Sequence, residues 1–296
     1  MQTVTLARNA MATRFEIVLH GGDPARLRAA GEEALDEIER LEAQLSLYRP
    51  TSEIARVNAW AATQPVRVSP GVFRLLQQAR DLSRECGGAF DITVAPLVRC
   101  WGFMGQGGRT PTDDEIDAAR AKVGVTHLLL DEAASTVAFD VEGAMLDLGA
   151  IGKGYAIDRA VEILRDAGVP NALLHGGTST AFGIGSAPEG QPWKVAVEYP
   201  PDNTVLATFE LHDSALSVSA VWGRSSIADG KTFGHILDPR TGRPAEAPQG
   251  AALAAVALPS ATETDAFSTA LLVLGEANRA LIEVLRPDLK TVVRKH

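Results

Sequence analysis

Leu146-Asp-Leu-Gly-Ala-Ile-Gly-Lys-Gly-Tyr-Ala-Ile-Asp158 is the stretch around which the rest of the chain is organised. Asp147 closes the apolar run Met145-Leu146, and Gly149, Gly152 and Gly154 then bracket a single lysine, Lys153. Downstream, apolar residues recur at Ile157, Ala160, Val161, Leu164 and Ala167 before Gly168, the spacing of a helix with one buried face and a glycine stop. Glycine lets a backbone approach a ligand, the start of a helix offers unpaired N–H groups, and lysine adds a point charge. Together they suit a phosphate or pyrophosphate. Neither common phosphate fingerprint is present: there is no Gly-x-Gly-x-x-Gly, and Asp147 stands six residues before Lys153, where a P-loop has glycine. A glycine turn ahead of a helix, with Lys153 in solvent, fits the same residues.

The 296 residues suffice for one large domain or for two closely packed halves. A net charge of −9 with no basic stripe argues against a nucleic-acid partner. Two cysteines, Cys86 and Cys100, make neither a disulfide framework nor a metal site, and reduced, packed thiols are expected. The first twenty residues contain Arg8, Arg14, Glu16 and His20, with no long apolar run and no cysteine for a lipid anchor. The expectation is a cytoplasmic chain without a membrane span.

Outward from the central stretch, alternation and turn residues predict strands over 4–8, 15–19, 127–131 and 136–139 on its N-terminal side. Helices are expected over Pro24–Leu45, after Ser52 as N-cap, over Pro70–Gly87 and over Thr112–Val123, with a glycine-rich loop at 104–112. On the C-terminal side, strands are expected over 172–174, 193–199, 205–211, 215–221, 233–237, 251–257 and 290–294, and a buried helix over Thr262–Gly275. Several strand pairs are hairpin-like, so the fold class is α+β, with mixed or antiparallel sheets and helices packed against them.

Four further pieces carry polar groups. Asp265 and Thr269 stand four apart, on one face of the predicted helix, and offer the hard oxygens that Mg²⁺ takes when phosphates complete its shell. A helix cap at Thr262 with acid in the first turn is the alternative. His235-Ile-Leu-Asp-Pro-Arg-Thr-Gly242 either presents polar groups at a strand end or is a tight turn. Tyr48 either stacks on a planar ring or caps the core, and Ala89-Phe90-Asp91 either serves a heterocycle or begins a strand.

Taken in order, these pieces resemble the ApbE family, the FAD:protein FMN transferases. The resemblance is carried by Met11-Ala-Thr13, Tyr48, Ser52-Glu53-Ile54, Asn58, Gly88-Ala-Phe-Asp-Ile-Thr93, Pro96-Leu-Val98, Trp101-Gly-Phe103, the 147–158 stretch, Gly176-Gly177, His235–Gly242 and Asp265–Thr269. It implies one catalytic domain over 1–296, or two packed halves with the FAD site between them. It also implies Mg²⁺-dependent transfer of FMN from FAD to a threonine of an acceptor flavoprotein, with release of AMP. By position, Met11, Tyr48, Ala89, Phe90, Asp91, Asp147, Lys153, His235 and Leu237 would line FAD. The Ala150 carbonyl, Asp265 and Thr269 would hold the metal, and His235 would take the acceptor's proton.

Two departures stand out: Thr178 where relatives often have aspartate after Gly176-Gly177, and Val218 where threonine is common. They keep two alternatives open, an FAD pyrophosphatase giving FMN and AMP, and a non-catalytic FAD-binding protein.

Overall fold

The computed structural model describes residues 2–105, 108–222, 225–228, 231–245 and 250–295, with the backbone alone at 225–228 and 231–233. Strands β1 (Thr3–Ala10) and β2 (Thr13–His20) pair with Ala10 opposite Thr13, leaving Met11-Ala12 as a two-residue turn. Both turn residues are left-handed, at φ 50° and 58°, as a hairpin that follows strand twist requires. Helix α1 (Pro24–Leu45) begins where Asp23 accepts the Arg26 N–H, and it buries the expected face from Leu27 to Leu45. Ser52 caps α2 (Glu53–Trp60) by accepting the Ala55 N–H at 2.9 Å.

There follow β3 (Val66–Arg67), α3 (Pro70–Glu85), α4 (Ala95–Cys100), α5 (Asp113–Arg120), β4 (Leu128–Asp131), β5 (Thr136–Phe139) and α6 (Gly152–Asp166). The second half contains β6 (Asn171–Gly176), β7 (Thr180–Ile184), β8 (Trp193–Tyr199), β9 (Thr204–Leu211), β10 (Ser214–Ala220), β11 (Ser225–Ala228) and β12 (Lys231–Gly234). It ends with β13 (Leu237–Asp238), β14 (Arg243–Pro244), β15 (Leu253–Leu258), α7 (Ala261–Leu274), α8 (Arg279–Glu283) and β16 (Lys290–Arg294).

Seven strands form the main sheet in the order β1-β2-β6-β7-β10-β15-β16, each neighbouring pair antiparallel. Helices α1, α6 and α7 cover one face and the β8–β9 hairpin covers the other. That double cover explains the unbroken apolar run of β15: Ala254, Val256 and Leu258 join the helices, while Leu253, Ala255 and Ala257 meet Trp193, Phe209 and Leu211. A small sheet, β3-β5-β4, and the α4–α5 pair complete the α+β architecture.

The structure departs from the sequence reading in a few places. Strand β7 was not expected, because Thr180-Ala-Phe-Gly-Ile184 alternates no polarity; it is buried on both faces. Gly183 is required there, since a Cβ would sit 2.8 Å from Trp193 Cδ1 on the covering hairpin. The expected strand 233–237 is divided between β12 and β13. Ala167 is exposed at the end of α6, not part of its buried face. Gln106 and Gly107 of the expected loop lie outside the described residues. Both cysteines are free thiols, and burial pushes Cys86 up to about 12. Among the described residues no helix is long and apolar enough to cross a membrane.

Asp158 fastens α6 to α7. Its carboxylate accepts the Ala261 and Thr262 N–H groups at 2.8 and 2.9 Å, and the Ser260 and Thr262 hydroxyls at 2.9 and 2.6 Å. These are charge-assisted bonds to first-turn groups of α7 that have no partner within the helix, and they add to the Ser260 cap. Asp158→Ala is expected to lower the unfolding free energy by about 1–3 kcal/mol, read as a lower urea midpoint with an unchanged m-value.

Candidate active site

The register of the main sheet brings several turns to one end. Phe15 pairs with Gly176, Gly176 with Thr180, Thr180 with Ser217, and Ala220 with Leu253. The Met11-Ala12 turn, residues 177–179 and the chain after Ala220 therefore leave the sheet together. The Val218 N–H donates to the Ser179 carbonyl at 2.7 Å and the Gly177 N–H to the Arg14 carbonyl at 2.9 Å, tying these turns to one another. Met11 is half-buried, and Tyr48, just past α1, is an exposed aromatic with 63% of its surface open.

Beside them α6 and α7 cross at very close range. A Cβ on Gly154 would collide with the Ala261 carbonyl oxygen and lie 2.9 Å from Asp265 Cβ. The sequence reading gave this glycine to a ligand; the structure gives it to a neighbouring helix. Closeness lets Asp265 Oδ2 accept the Gly154 N–H at 3.0 Å, the amide that a regular helix would turn to the Ala150 carbonyl four residues back. Lys153 lies in the first turn of α6. Its Nζ donates to the Gly149 carbonyl at 3.4 Å and stands 3.9 Å from Asp265 Oδ1.

Asp265 is thus a nearly buried carboxylate held by one amide and facing one cation. It is not a helix cap. Ser260 caps α7, accepting the Glu263 N–H, with Asp158 bonded to the same turn. Thr269, one turn on, is half-buried, and its hydroxyl lies 3.2 Å from Ser219 Oγ on β10. Ala150 is half-buried in the turn that enters α6. Among the described residues there is no cluster of three or more His, Cys, Asp or Glu. One carboxylate, one hydroxyl and one carbonyl are hard oxygens of the kind that Mg²⁺ accepts when phosphates or water supply the rest.

Asp147 is placed by its backbone, its N–H donating to the Ile92 carbonyl at 2.7 Å, while its Oδ1 accepts the Gly149 N–H at 2.8 Å. Asn58 holds the residue before it at both ends, donating to the Leu146 carbonyl at 2.9 Å and accepting the Leu146 N–H at 2.7 Å. Ile92 connects this turn with Ala89-Phe90-Asp91, whose side chains are all buried. Asp91 Oδ1 accepts the Thr93 N–H and hydroxyl at 2.7 and 2.6 Å, and Oδ2 accepts the Val125 N–H at 3.1 Å. Burial raises its pKa even against those bonds. With these side chains turned inward, the backbone is what Ala89, Phe90 and Asp91 could offer a ligand.

His235 is half-buried beside the end of β10, where Gly234 abuts the Val221 carbonyl. Leu237 is buried with Leu97, Trp101, Ile116 and Ala119, so here too only the backbone is open to a ligand. The turn beyond it is anchored by Trp101 Nε1 donating to the Gly242 carbonyl at 2.8 Å and by the Arg240–Asp238 pair at 2.9 Å. Arg240 Cγ comes close to Gly88, closing the ring of segments.

Sequence reading gave no role to Ser219 and did not show which way Val218 faces. Ser217 and Ser219 point to the helices, whereas Val218 packs with the β8–β9 hairpin on the opposite face. The signal was available in the period of two: Thr264 and Ser268 are the helix hydroxyls that Ser217 and Ser219 meet. Thr178 is exposed at the tip of its turn.

The ApbE family model matches residues 11–293. The FAD:protein FMN transferase of Salmonella typhimurium is 32% identical over 277 residues, 91% of this chain and 78% of its own length. Among solved structures, the ApbE protein of Thermotoga maritima superposes with a TM-score of 0.89 at 29% identity, covering 99% of this chain and 94% of that one. The flavin transferase ApbE of Vibrio cholerae gives 0.83 at 29% identity, covering 99% and 93%.

The helix crossing has a direct test. Gly154→Ala must push α7 away or unfold the first turn of α6, and overpacking of this kind costs about 1–3 kcal/mol or more. The variant should melt several degrees lower, and soluble enzyme at a permissive temperature should be inactive because Asp265 has moved.

Proposed function

This chain belongs to the ApbE family, and we propose that its flavin transfer is carried out where α6 and α7 cross. It is an FAD:protein FMN transferase: it moves FMN from FAD to an acceptor flavoprotein. The observation that carries the location is the buried Asp265 carboxylate held against Lys153 and Gly154.

Phosphoryl transfer asks the protein for charge neutralisation and in-line positioning more than for covalent help. Lys153 would hold the diphosphate of FAD as a point charge. Tyr48 would stack on a planar ring of the dinucleotide, with Met11, Asp147 and the backbones of Ala89, Phe90, Asp91 and Leu237 completing the walls. Asp265, Thr269 and the Ala150 carbonyl would hold Mg²⁺, which supplies further neutralisation of the diphosphate. Their oxygens fit a hard cation: Asp265 Oδ2 is fixed by an amide, and Oδ1 is beyond hydrogen-bond range of Lys153. His235 would accept the proton of the acceptor's hydroxyl, which we take to be a threonine, as that oxygen bonds to phosphorus and AMP leaves.

Hydrolysis is the second reading, favoured by Thr178, which places a neutral, exposed side chain where relatives often carry an acid. Incubation with FAD, Mg²⁺ and a threonine-bearing acceptor peptide separates the outcomes. An FMN–peptide adduct and AMP, both lost in EDTA, support transfer; free FMN and AMP support hydrolysis; intact FAD rejects both. Thr178→Asp should raise the proportion of adduct over free FMN, since a small change in positioning moves such rates by as much as ~100-fold.

Two variants test the roles. Lys153→Met should weaken FAD binding by about 1.5–3 kcal/mol, the worth of a charge-assisted contact, measured by flavin fluorescence titration. Asp265→Asn should abolish Mg²⁺-dependent turnover while the protein still binds FAD.

A further inference from the structure

Two hydroxyls, Ser219 and Ser268, lead away from the proposed metal ligand Thr269, and taken as hydrogen bonds these contacts allow one proton order. Ser268 Oγ donates to the Asp265 main-chain carbonyl at 3.0 Å, because a carbonyl can only accept. Ser268 has then used its single proton, so in the 2.9 Å contact between Ser268 Oγ and Ser219 Oγ the donor is Ser219. Ser219 has used its own proton in turn. In the 3.2 Å contact between Ser219 Oγ and Thr269 Oγ1, the donor is therefore Thr269. The chain runs from Thr269 to Ser219 to Ser268 and ends on the backbone of Asp265.

The direction matters for Thr269. A threonine hydroxyl that binds a cation does so through a lone pair and must send its proton elsewhere. Here the proton is directed inward to the sheet, and the lone pairs of Thr269 are left for the half-buried side that it shares with Asp265. Ser219 is buried, so water does not compete for that proton. A neighbouring hydroxyl chain ends in the core instead. Ser217 Oγ lies 2.9 Å from Thr264 Oγ1, which donates to the Ala261 carbonyl at 2.9 Å, and 3.4 Å from Thr180 Oγ1 on β7; all three side chains are buried between β7, β10 and α7.

We propose that Ser219 is a positioning residue that presets Thr269 as a lone-pair donor to the metal, through a one-way hydroxyl relay closed on Asp265. This rests on the metal-site reading given above. Partners that orient a metal ligand are worth about 10–100-fold in metal affinity when removed.

The test is a titration of Mn²⁺, a paramagnetic stand-in for Mg²⁺, into the FAD-loaded protein, with the free ion counted by its EPR signal. Ser219→Ala should weaken Mn²⁺ binding about tenfold or more, and Ser219→Thr, which keeps the hydroxyl, should recover most of it. Ser268→Ala should also weaken binding, because Ser219 is then free to turn its proton onto Thr269. That variant keeps the test alive should Ser219→Ala fail to fold. Ser217→Ala is the control: it should lower the melting temperature and leave Mn²⁺ affinity unchanged. Unchanged affinity in Ser219→Ala, or in Ser268→Ala, or an equal loss in Ser217→Ala, overturns the relay. Asp265→Asn separates this from the underlying reading: if it binds Mn²⁺ as the unmodified protein does, the metal site itself is wrong.

Discussion

The contact on which the rest of the site depends is the one between Gly154 and the first turns of α7. Two helices that meet with no side chain between them can exchange main-chain and side-chain hydrogen bonds directly. The consequences are the Gly154–Asp265 bond, the reach of Asp158 to three consecutive residues at the start of α7, and the approach of Lys153 to Asp265. A methyl group at Gly154 would collide with the Ala261 carbonyl and force the two helices apart where these contacts are made. The position of the buried carboxylate is therefore set by backbone packing, not by the flexible end of a surface side chain.

The sheet supplies the other half of the geometry. With helices on one face and a hairpin on the other, β10 and β15 are immobilised from both sides, and their ends become a fixed rim. Ser219 and Thr269 meet across that rim, and His235 follows it at the next turn. Antiparallel pairing is what places so many turns at one end, since consecutive strands leave the sheet at alternate edges and the register brings 11–12, 177–179 and 221 into line.

Local signals in the sequence translated faithfully. Ser52 caps α2 as expected, and the helices expected from Pro24 and Thr112 begin there behind caps at Asp23 and Thr112 whose chemistry is complete within four residues. The family was legible because its motifs recur in order along the chain. What could not be read was direction. Asp91, Ala89, Phe90 and Leu237 turn their side chains inward, and Val218 faces the hairpin, because those choices depend on which surface is covered by elements far away in sequence. Strand β7 escaped for the same reason: a strand buried on both faces loses its alternation, and its glycine answers to a tryptophan ten residues later.

The turn between β1 and β2 has a bearing on how this enzyme can change. Met11 and Ala12 both occupy left-handed backbone, which costs non-glycine residues about 1–2 kcal/mol each. Glycine at either place would relieve the strain, so selection for heat resistance alone would drive the tip toward glycine. Glycine at position 11 would remove the Met11 side chain, whereas glycine at position 12 would keep it. If Met11 lines FAD as proposed, durability and binding pull in opposite directions at that residue, and a thermostabilised descendant should carry its glycine at position 12.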